Sequence, residues 1–215
     1  MFETVLKSSV FAGFDDWMTH GFGTRESGAE WLGDTATLKQ IHSSDVLAVQ
    51  SLCTGELGSG DALVTGERGV RLSIRTADCV PLLFADPVRR AVAATHAGWR
   101  GTAAGISRRT VERMIGDYGC VAADIRVAIG PSIGPCCYEV SEDVAVQFSG
   151  YAPGCGKTML DLVEINLAQL VEAGVHEIDA MRLCTRCDAQ RFHSFRRDAE
   201  SSGRMHAVIG LHPSM

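Results

Sequence analysis

The sequence predicts an α+β fold in one domain, on three observations. Short apolar runs that read as strands interleave with helical stretches without a regular βαβ rhythm, which argues against a doubly wound sheet. Two of these runs, VPLLFAD (80–86) and AVAATHAGW (91–99), are almost unbroken, as in strands buried on both faces. A length of 215 residues, with 46% hydrophobic and 21% charged side chains, suits one ordinary globular core.

In chain order, the first 30 residues carry Trp17, His20 and Gly21-Phe22-Gly23 ahead of Thr24-Arg25 and a polar ESGAE segment, the pattern of a strand end running into a loop. In TLKQIHSSDVLAVQ (37–50), Leu38, Ile41, Val46, Leu47 and Val49 flank a polar HSSD, which predicts two short strands around a tight turn with His42 at the break. TGELGSG (54–60) reads as a loop, DALVT (61–65) as a short strand, GERG (66–69) as a turn and RLSIRT (71–76) as a half-buried strand. Asp86-Pro87 places a turn between the two buried runs. After His96 a helix begins, with Ala103, Ile106, Thr110, Val111, Met114 and Ile115 at helical spacing up to about Tyr118-Gly119. IRVAIG (125–130) is another buried strand, PSIGPCCYEV (131–140) a Gly/Pro-rich loop, and SEDVAVQF (141–148) a short helix with Ser141 as N-cap. Leu160, Val163, Leu167, Leu170 and Val171 line a second helix, with Gly174 where its C-terminal cap falls. A strand candidate near Ile178–Leu183, a polar run from Cys184 to Arg204 and alternating MHAVIGL (205–211) finish the pattern, without internal repeats.

Composition narrows the partners. With 20 basic and 26 acidic residues the net charge is -6, which gives no global attraction to nucleic acid but leaves room for a local basic pocket that takes a small anion. No stretch approaches the roughly 18 apolar residues of a membrane span. The opening residues lack the apolar run and cleavage site of a secretory signal, so a soluble, cytoplasmic protein without nucleic-acid or membrane partners is expected. Eight cysteines in such a chain point to buried thiols, ligands or nucleophiles rather than to a disulfide framework.

Chemistry concentrates between Thr76 and Gly101, where Cys79 and His96 each stand at the end of an apolar run, and His42 joins them as a third group at a strand end. Two imidazoles and a thiolate suit zinc or copper, and three protein ligands with an open fourth position are the pattern of a catalytic ion. Their spacing is long and non-local, so packed core side chains fit the same pattern; so does a Cys79 nucleophile with His96 as its base. HAGWRGTAAG opens a helix with glycines and Arg100, which reads as an anion subsite or as a simple tight turn. The Cys184–Cys187 pair has zinc-ribbon or redox spacing but no second CxxC, and reads as two ordinary thiols. Arg196, Arg197 and Arg204, near Asp198 and Glu200, read as a salt-bridged, fold-locking cluster rather than a ligand clamp. His20, His176, His193, His206 and His212 are singletons without an assigned role.

Taken in order, KQIHSSDV, GDALVT, TADCVPLLFADP, THAGWRG, IGPSIGPCCYEV, LDLVEINLAQL and CTRCDAQRFHSFRRD resemble the YfiH-type laccase-domain family, also called multicopper polyphenol oxidases. The resemblance runs from about Asp61 to the C terminus, with N-terminal patches HGFGTR and KQIH. It implies a layered α/β/β/α domain of mixed sheets with flanking helices over residues 1–215. It also implies one zinc, alternatively copper, held by His42, Cys79 and His96, and purine nucleoside chemistry: phosphorolysis of adenosine, inosine, guanosine and methylthioadenosine, and deamination of adenosine. Small-molecule nucleoside and phosphate are the implied partners; the oligomeric state is not implied. The chain departs from the family's pattern at Ser43, where Gly is usual, and in a shorter segment between HGFGTR and KQIH.

On that resemblance Cys79 and His96 are catalytic as well as ligating, and Asp78 is the nearest further acid or base; on a continuing strand its side chain would point away from Cys79 and act as an orienting group. Arg25, Arg100 and Cys137 are the expected substrate contacts, the two arginines positioning phosphate with the helix start after Trp99. Rival expectations are oxidation of phenols by a single copper, hydrolytic editing of peptidoglycan precursors by Cys79 or the metal, and a non-enzymatic structural or adaptor role. A coupled copper cluster would need paired histidines, and the seven here form no H-x-H. The H-x-E of the nucleotide deaminases is also missing at His96-Ala97-Gly98.

Overall fold

A computed structural model describes residues 3–151 and 158–213. Its strands, in chain order, are β1 (Val5–Leu6), β2 (Met18–Gly23), β3 (Ala36–Lys39), β4 (Val46–Ala48), β5 (Gly55–Ser59), β6 (Ala62–Thr65), β7 (Arg71–Thr76), β8 (Val80–Asp86), β9 (Ala91–Ala97), β10 (Arg126–Ile129), β11 (Glu177–Ala180) and β12 (Met205–Leu211). They make two six-stranded sheets, β1-β2-β12-β7-β3-β5 and β11-β10-β8-β9-β6-β4. Both are mixed: β3 runs parallel to β5 and β7, β4 to β6 and β10 to β11, while the other pairs are antiparallel.

The helices are α1 (Ala29–Leu32), α2 (Trp99–Ala103), α3 (Ile106–Tyr118), α4 (Glu142–Ala145), α5 (Leu162–Glu172) and α6 (Phe195–Asp198). Alternation along β8 explains why its run is unbroken. Val80, Leu82 and Phe84 enter the core shared with Met114 of α3 and Leu170 of α5, while Leu83 and Ala85 enter the core shared with Leu72 and Ile209 of the other sheet. Truncating a side chain such as Leu82 or Phe84 to Ala would cost about 2–5 kcal/mol, a large share of the roughly 5–15 kcal/mol that holds a domain folded. The outer face of the first sheet carries α1, where Trp31 lies over Gly21; a Cβ there would come within 3.1 Å of the indole. Two mixed sheets with flanking helices are thus the α+β architecture that was expected.

Local expectations differ from the structure at four points. β3 and β4 do not form a hairpin: the chain leaves one sheet and enters the other between them, turning at His42 with φ 59°. The polar TGELGSG stretch contains β5, an edge strand whose backbone pairs with β3 although its side chains have nothing to bury. The first helix is two, broken at Gly105 with φ 73°. The Thr102 carbonyl beside the break accepts a bond from Gln169 Nε2 at 2.9 Å, and Asn166 Nδ2 donates to Thr102 Oγ1 at 3.0 Å, so α5 satisfies the polar groups there. Ser141 precedes α4 in extended conformation without a side-chain capping bond, whereas Asp161 caps α5 by accepting from Val163 and Glu164 N–H at 3.1 Å. Among the described residues no helix is long and apolar enough to cross a membrane.

Candidate active site

Three distant segments meet at one end of the β8–β9 hairpin. His42 comes from the sheet-to-sheet crossover, Cys79 from the bend ahead of β8, and His96 from the end of β9, opposite Pro81. One ligand atom from each lies within 4.8 Å of the others. The two imidazole rings are 5.0 Å apart at 72°. His96 is buried, Cys79 half-buried and His42 exposed, so the group opens outward on one side.

Asp61, fully buried just ahead of β6, organises all of this. Its carboxylate accepts N–H bonds from Ile41 (3.2 Å), His42 (3.0 Å) and Ser43 (2.6 Å), the Ser43 hydroxyl (2.9 Å), and His96 Nδ1 (2.9 Å). A carboxylate can only accept, so Nδ1 of His96 carries the proton and Nε2 is left to face Cys79 and His42. The three successive N–H bonds fix the left-handed turn that presents His42. Ser43 adds a hydroxyl bond to the same carboxylate. Asp61 was missed in the sequence because its only local signal is an acidic residue before a short strand.

Charge is balanced within the group. Burial opposes the Cys79 thiolate, but the His96 charge and hydrogen bonds from both imidazoles outweigh it and bring the thiol down to about 6. Burial also opposes the His96 imidazolium, which the Cys79 thiolate and the Asp61 bond lift to about 9. Burial would raise Asp61, and the bonds from His96 and Ser43 hold it down to about 2. Without a metal the site is a thiolate–imidazolium pair on a carboxylate base. A ready thiolate beside two imidazoles, one with its far nitrogen held by a carboxylate, is a donor set that fits zinc or copper. The glycine after Ala97 serves this packing: a Cβ on Gly98 would come 2.9 Å from His42 and 3.1 Å from the Cys79 sulfur, and one on Gly101 2.9 Å from the Ser43 carbonyl. These glycines therefore allow the crossover and Cys79 to approach the start of α2 closely.

The group forms one wall of a cavity of about 630 Å³ whose lining also includes Gln40, Arg75, Asp78, Tyr138, Phe195, Arg196 and Arg204. Arg75, Arg196 and Arg204 take part in no ion pair among the described residues, in a chain of net charge -6. Arg196 lies over the Tyr138 ring at 5.2 Å and donates to the Glu139 carbonyl; Arg204 lies over Phe195 at 5.8 Å and donates to the Ser202 and Gly203 carbonyls. The arginine cluster expected to lock the fold is therefore divided. Arg197 does so, pairing with Asp198 and donating to the Thr185, Arg186 and Phe192 carbonyls, whereas Arg196 and Arg204 face the cavity.

Asp78 does not continue a strand: it sits in the bend with φ 88°, and its carboxylate accepts from Thr185 Oγ1 (2.6 Å), Ser194 Oγ (3.1 Å) and Arg196 N–H (2.6 Å). Arg25, Arg100 and Cys137 are not among the lining residues. Arg25 donates to the Ala189 carbonyl, Arg100 lies over the Trp99 ring at 4.4 Å, and the Cys137 sulfur contacts that of Cys187 at 3.4 Å. Gln40, Arg75, Tyr138 and Phe195 escaped notice because each stands in a local pattern that reads as surface or loop.

Fold and site together define a two-sheet α+β protein with an open His–Cys–His group at the mouth of a basic cavity. Residues 24–212 match the multi-copper polyphenol oxidoreductase laccase family, and the chain belongs to it. It is 46% identical over 185 residues to a protein of Deinococcus radiodurans named purine nucleoside phosphorylase, covering 83% of this chain and 70% of that one. Its fold is similar to the crystal structure of YlmD from Geobacillus stearothermophilus, with TM-score 0.86, 31% identity, and 99% and 97% of the two chains covered. YfiH from Bacillus licheniformis is similar too, with TM-score 0.83, 31% identity, and 90% and 92% covered.

Proposed function

We propose that this chain is a zinc-dependent, cytoplasmic purine nucleoside phosphorylase acting on adenosine, inosine, guanosine and methylthioadenosine. The observation that carries the proposal is the meeting, in one cavity, of the His42–Cys79–His96 group with three arginines that have no carboxylate partner among the described residues. The name of the Deinococcus radiodurans relative supports it.

Phosphate, an anion, is drawn to Arg75, Arg196 and Arg204, which replace Arg25 and Arg100 as its expected contacts. One phosphate oxygen forms a bond to C1′ of the nucleoside while the C1′–N9 bond breaks. The electron pair of that bond leaves with the purine, and the proton given up by phosphate is the one the purine takes. The Arg196 and Arg204 guanidiniums hold the nucleophile in line, since their carbonyl contacts limit where they can move. Tyr138 and Phe195 supply flat walls for the purine. Burial and the charge of Cys79 push the Tyr138 phenol up to about 12, so it stays a neutral hydrogen-bond donor towards a base nitrogen. Asp78, with its carboxylate already taken by three donors, is a positioning residue for α6 and Arg196. Zinc held by His42, Cys79 and His96 would supply a Lewis acid that polarises a substrate oxygen.

Adenosine deamination is a second activity of the same site, favoured by the His42–Cys79–His96 donor set, which would hold a Lewis acid beside C6 of the purine, where water adds and ammonia leaves. Purified chain incubated with adenosine, with and without phosphate, and followed by chromatography tests both. Adenine with ribose 1-phosphate, formed only when phosphate is present, is the expected result. Inosine formed without phosphate reports deamination. If neither product appears, and the copper-loaded chain oxidises a phenol instead, the nucleoside proposal fails.

A further inference from the structure

Four cysteines outside the active-site group converge on one point. Cys136 and Cys137 stand in the loop after β10, Cys184 and Cys187 in the loop after β11, and all four sulfurs lie within 4.8 Å of one another. The Cys187 sulfur is 3.6 Å from that of Cys136 and 3.4 Å from that of Cys137. Four sulfurs at about 2.3 Å from a single tetrahedral zinc are separated by roughly 3.8 Å. A multi-iron cluster would hold its cysteines further apart, because several inorganic atoms lie between them. Core packing does not account for the convergence: Cys136 and Cys187 are exposed, and none of the four belongs to either hydrophobic core. The backbone N–H of Gly134 donates to the Cys184 sulfur at 3.3 Å, the kind of contact that offsets excess negative charge on a thiolate-bound dication.

We propose that Cys136, Cys137, Cys184 and Cys187 form a second metal site, a structural tetrathiolate zinc site with no open position. Its place in the fold gives it a task. The loop after β10 lines the active-site cavity through Ile133 and Tyr138, and both loops bond to Asp78 beside Cys79: Ile133 N–H donates to the Asp78 carbonyl, and Thr185, between Cys184 and Cys187, donates to the Asp78 carboxylate. A zinc ion here pins both loops against the segment that carries Cys79.

The test is metal content of the full chain, prepared reduced and with zinc present, and it does not depend on nucleoside activity. Wild type is expected to hold about two zinc ions per chain, Cys79→Ala about one, and Cys79→Ala with Cys184→Ser and Cys187→Ser none. Should the last variant fail to fold, cobalt loaded into Cys79→Ala reads the same site: strong sulfur-to-cobalt charge-transfer absorption with tetrahedral ligand-field bands is expected. A Cys79→Ala chain that folds but holds no metal, or that shows no such absorption with cobalt, would overturn the proposal. So would a disulfide among the four cysteines in protein kept reduced.

Discussion

The His42–Cys79–His96 group and the four-cysteine group are neighbours through Asp78 and Thr185, yet they are built in opposite ways. The first draws on strand ends and a sheet crossover, buries His96 and its carboxylate partner Asp61, and leaves His42 open to a cavity. The second draws only on loops, keeps two of its sulfurs exposed, and supplies four protein ligands of one kind. Rigidity and an unfilled position make the first suited to chemistry; saturation makes the second suited to holding loops together. Loss of the first should therefore appear in rate, and loss of the second in stability.

The largest expected effect separates them directly. Cys79→Ala should lower phosphorolysis on the order of 1,000-fold with little change in melting temperature, because the Lewis acid leaves with its thiolate. Cys187→Ser should lower Tm by about 4–8 °C, the equivalent of about 2 kcal/mol, while kcat of the folded protein stays within about threefold. Differential scanning calorimetry and steady-state kinetics on the two variants check this; equal losses of rate would erase the distinction.

Asp61→Asn sharpens the contrast without touching a ligand. Because Asp61 fixes the proton on His96 Nδ1 and the turn at His42, zinc affinity at the active site should fall about 10–100-fold, while the tetrathiolate site keeps its ion. Competition with a chelator, following the two ions separately, measures it. Arg204→Met should raise KM for phosphate about tenfold with a smaller change in kcat, as expected for a group that binds the anion before and during reaction.

The smallest effect is a shift in a pH midpoint. In metal-free protein the Cys79 thiol lies at about 6, so its alkylation by iodoacetamide should be fast above that pH and be lost as pH falls through it. Asp61→Asn weakens the His96 charge that supports the thiolate, and the midpoint should move up. Mass spectrometry of the peptide carrying Cys79 across pH 4–9 reads the shift, and an unchanged midpoint would detach Asp61 from the charge balance.

Much of the fold was legible because periodicity reports burial. The unbroken runs at 80–86 and 91–97 are buried strands, and the stripe along α5 is a helix capped near Gly174. His42, Cys79 and His96 were also legible as candidates, since imidazole and thiol at strand ends are uncommon types in informative places. β5 was not, because an edge strand held by backbone bonds alone leaves no apolar signature. Nor was the role of Asp61, Arg75, Arg196 or Arg204, whose neighbours in the chain differ from their neighbours in space.

By itself, then, the amino-acid sequence determined the buried strands, the amphipathic helices, the α+β class and His42, Cys79 and His96 as candidate ligands. Only the tertiary structure decided which of them meet. The crossover between the first sheet and the second brings His42 to Cys79 and His96, and the adjacent ends of β10 and β11 bring Cys136 and Cys137 to Cys184 and Cys187. Both meetings follow from strand pairing and sheet packing between segments far apart in sequence, and hydrophobic period, being a local quantity, carries no information about them.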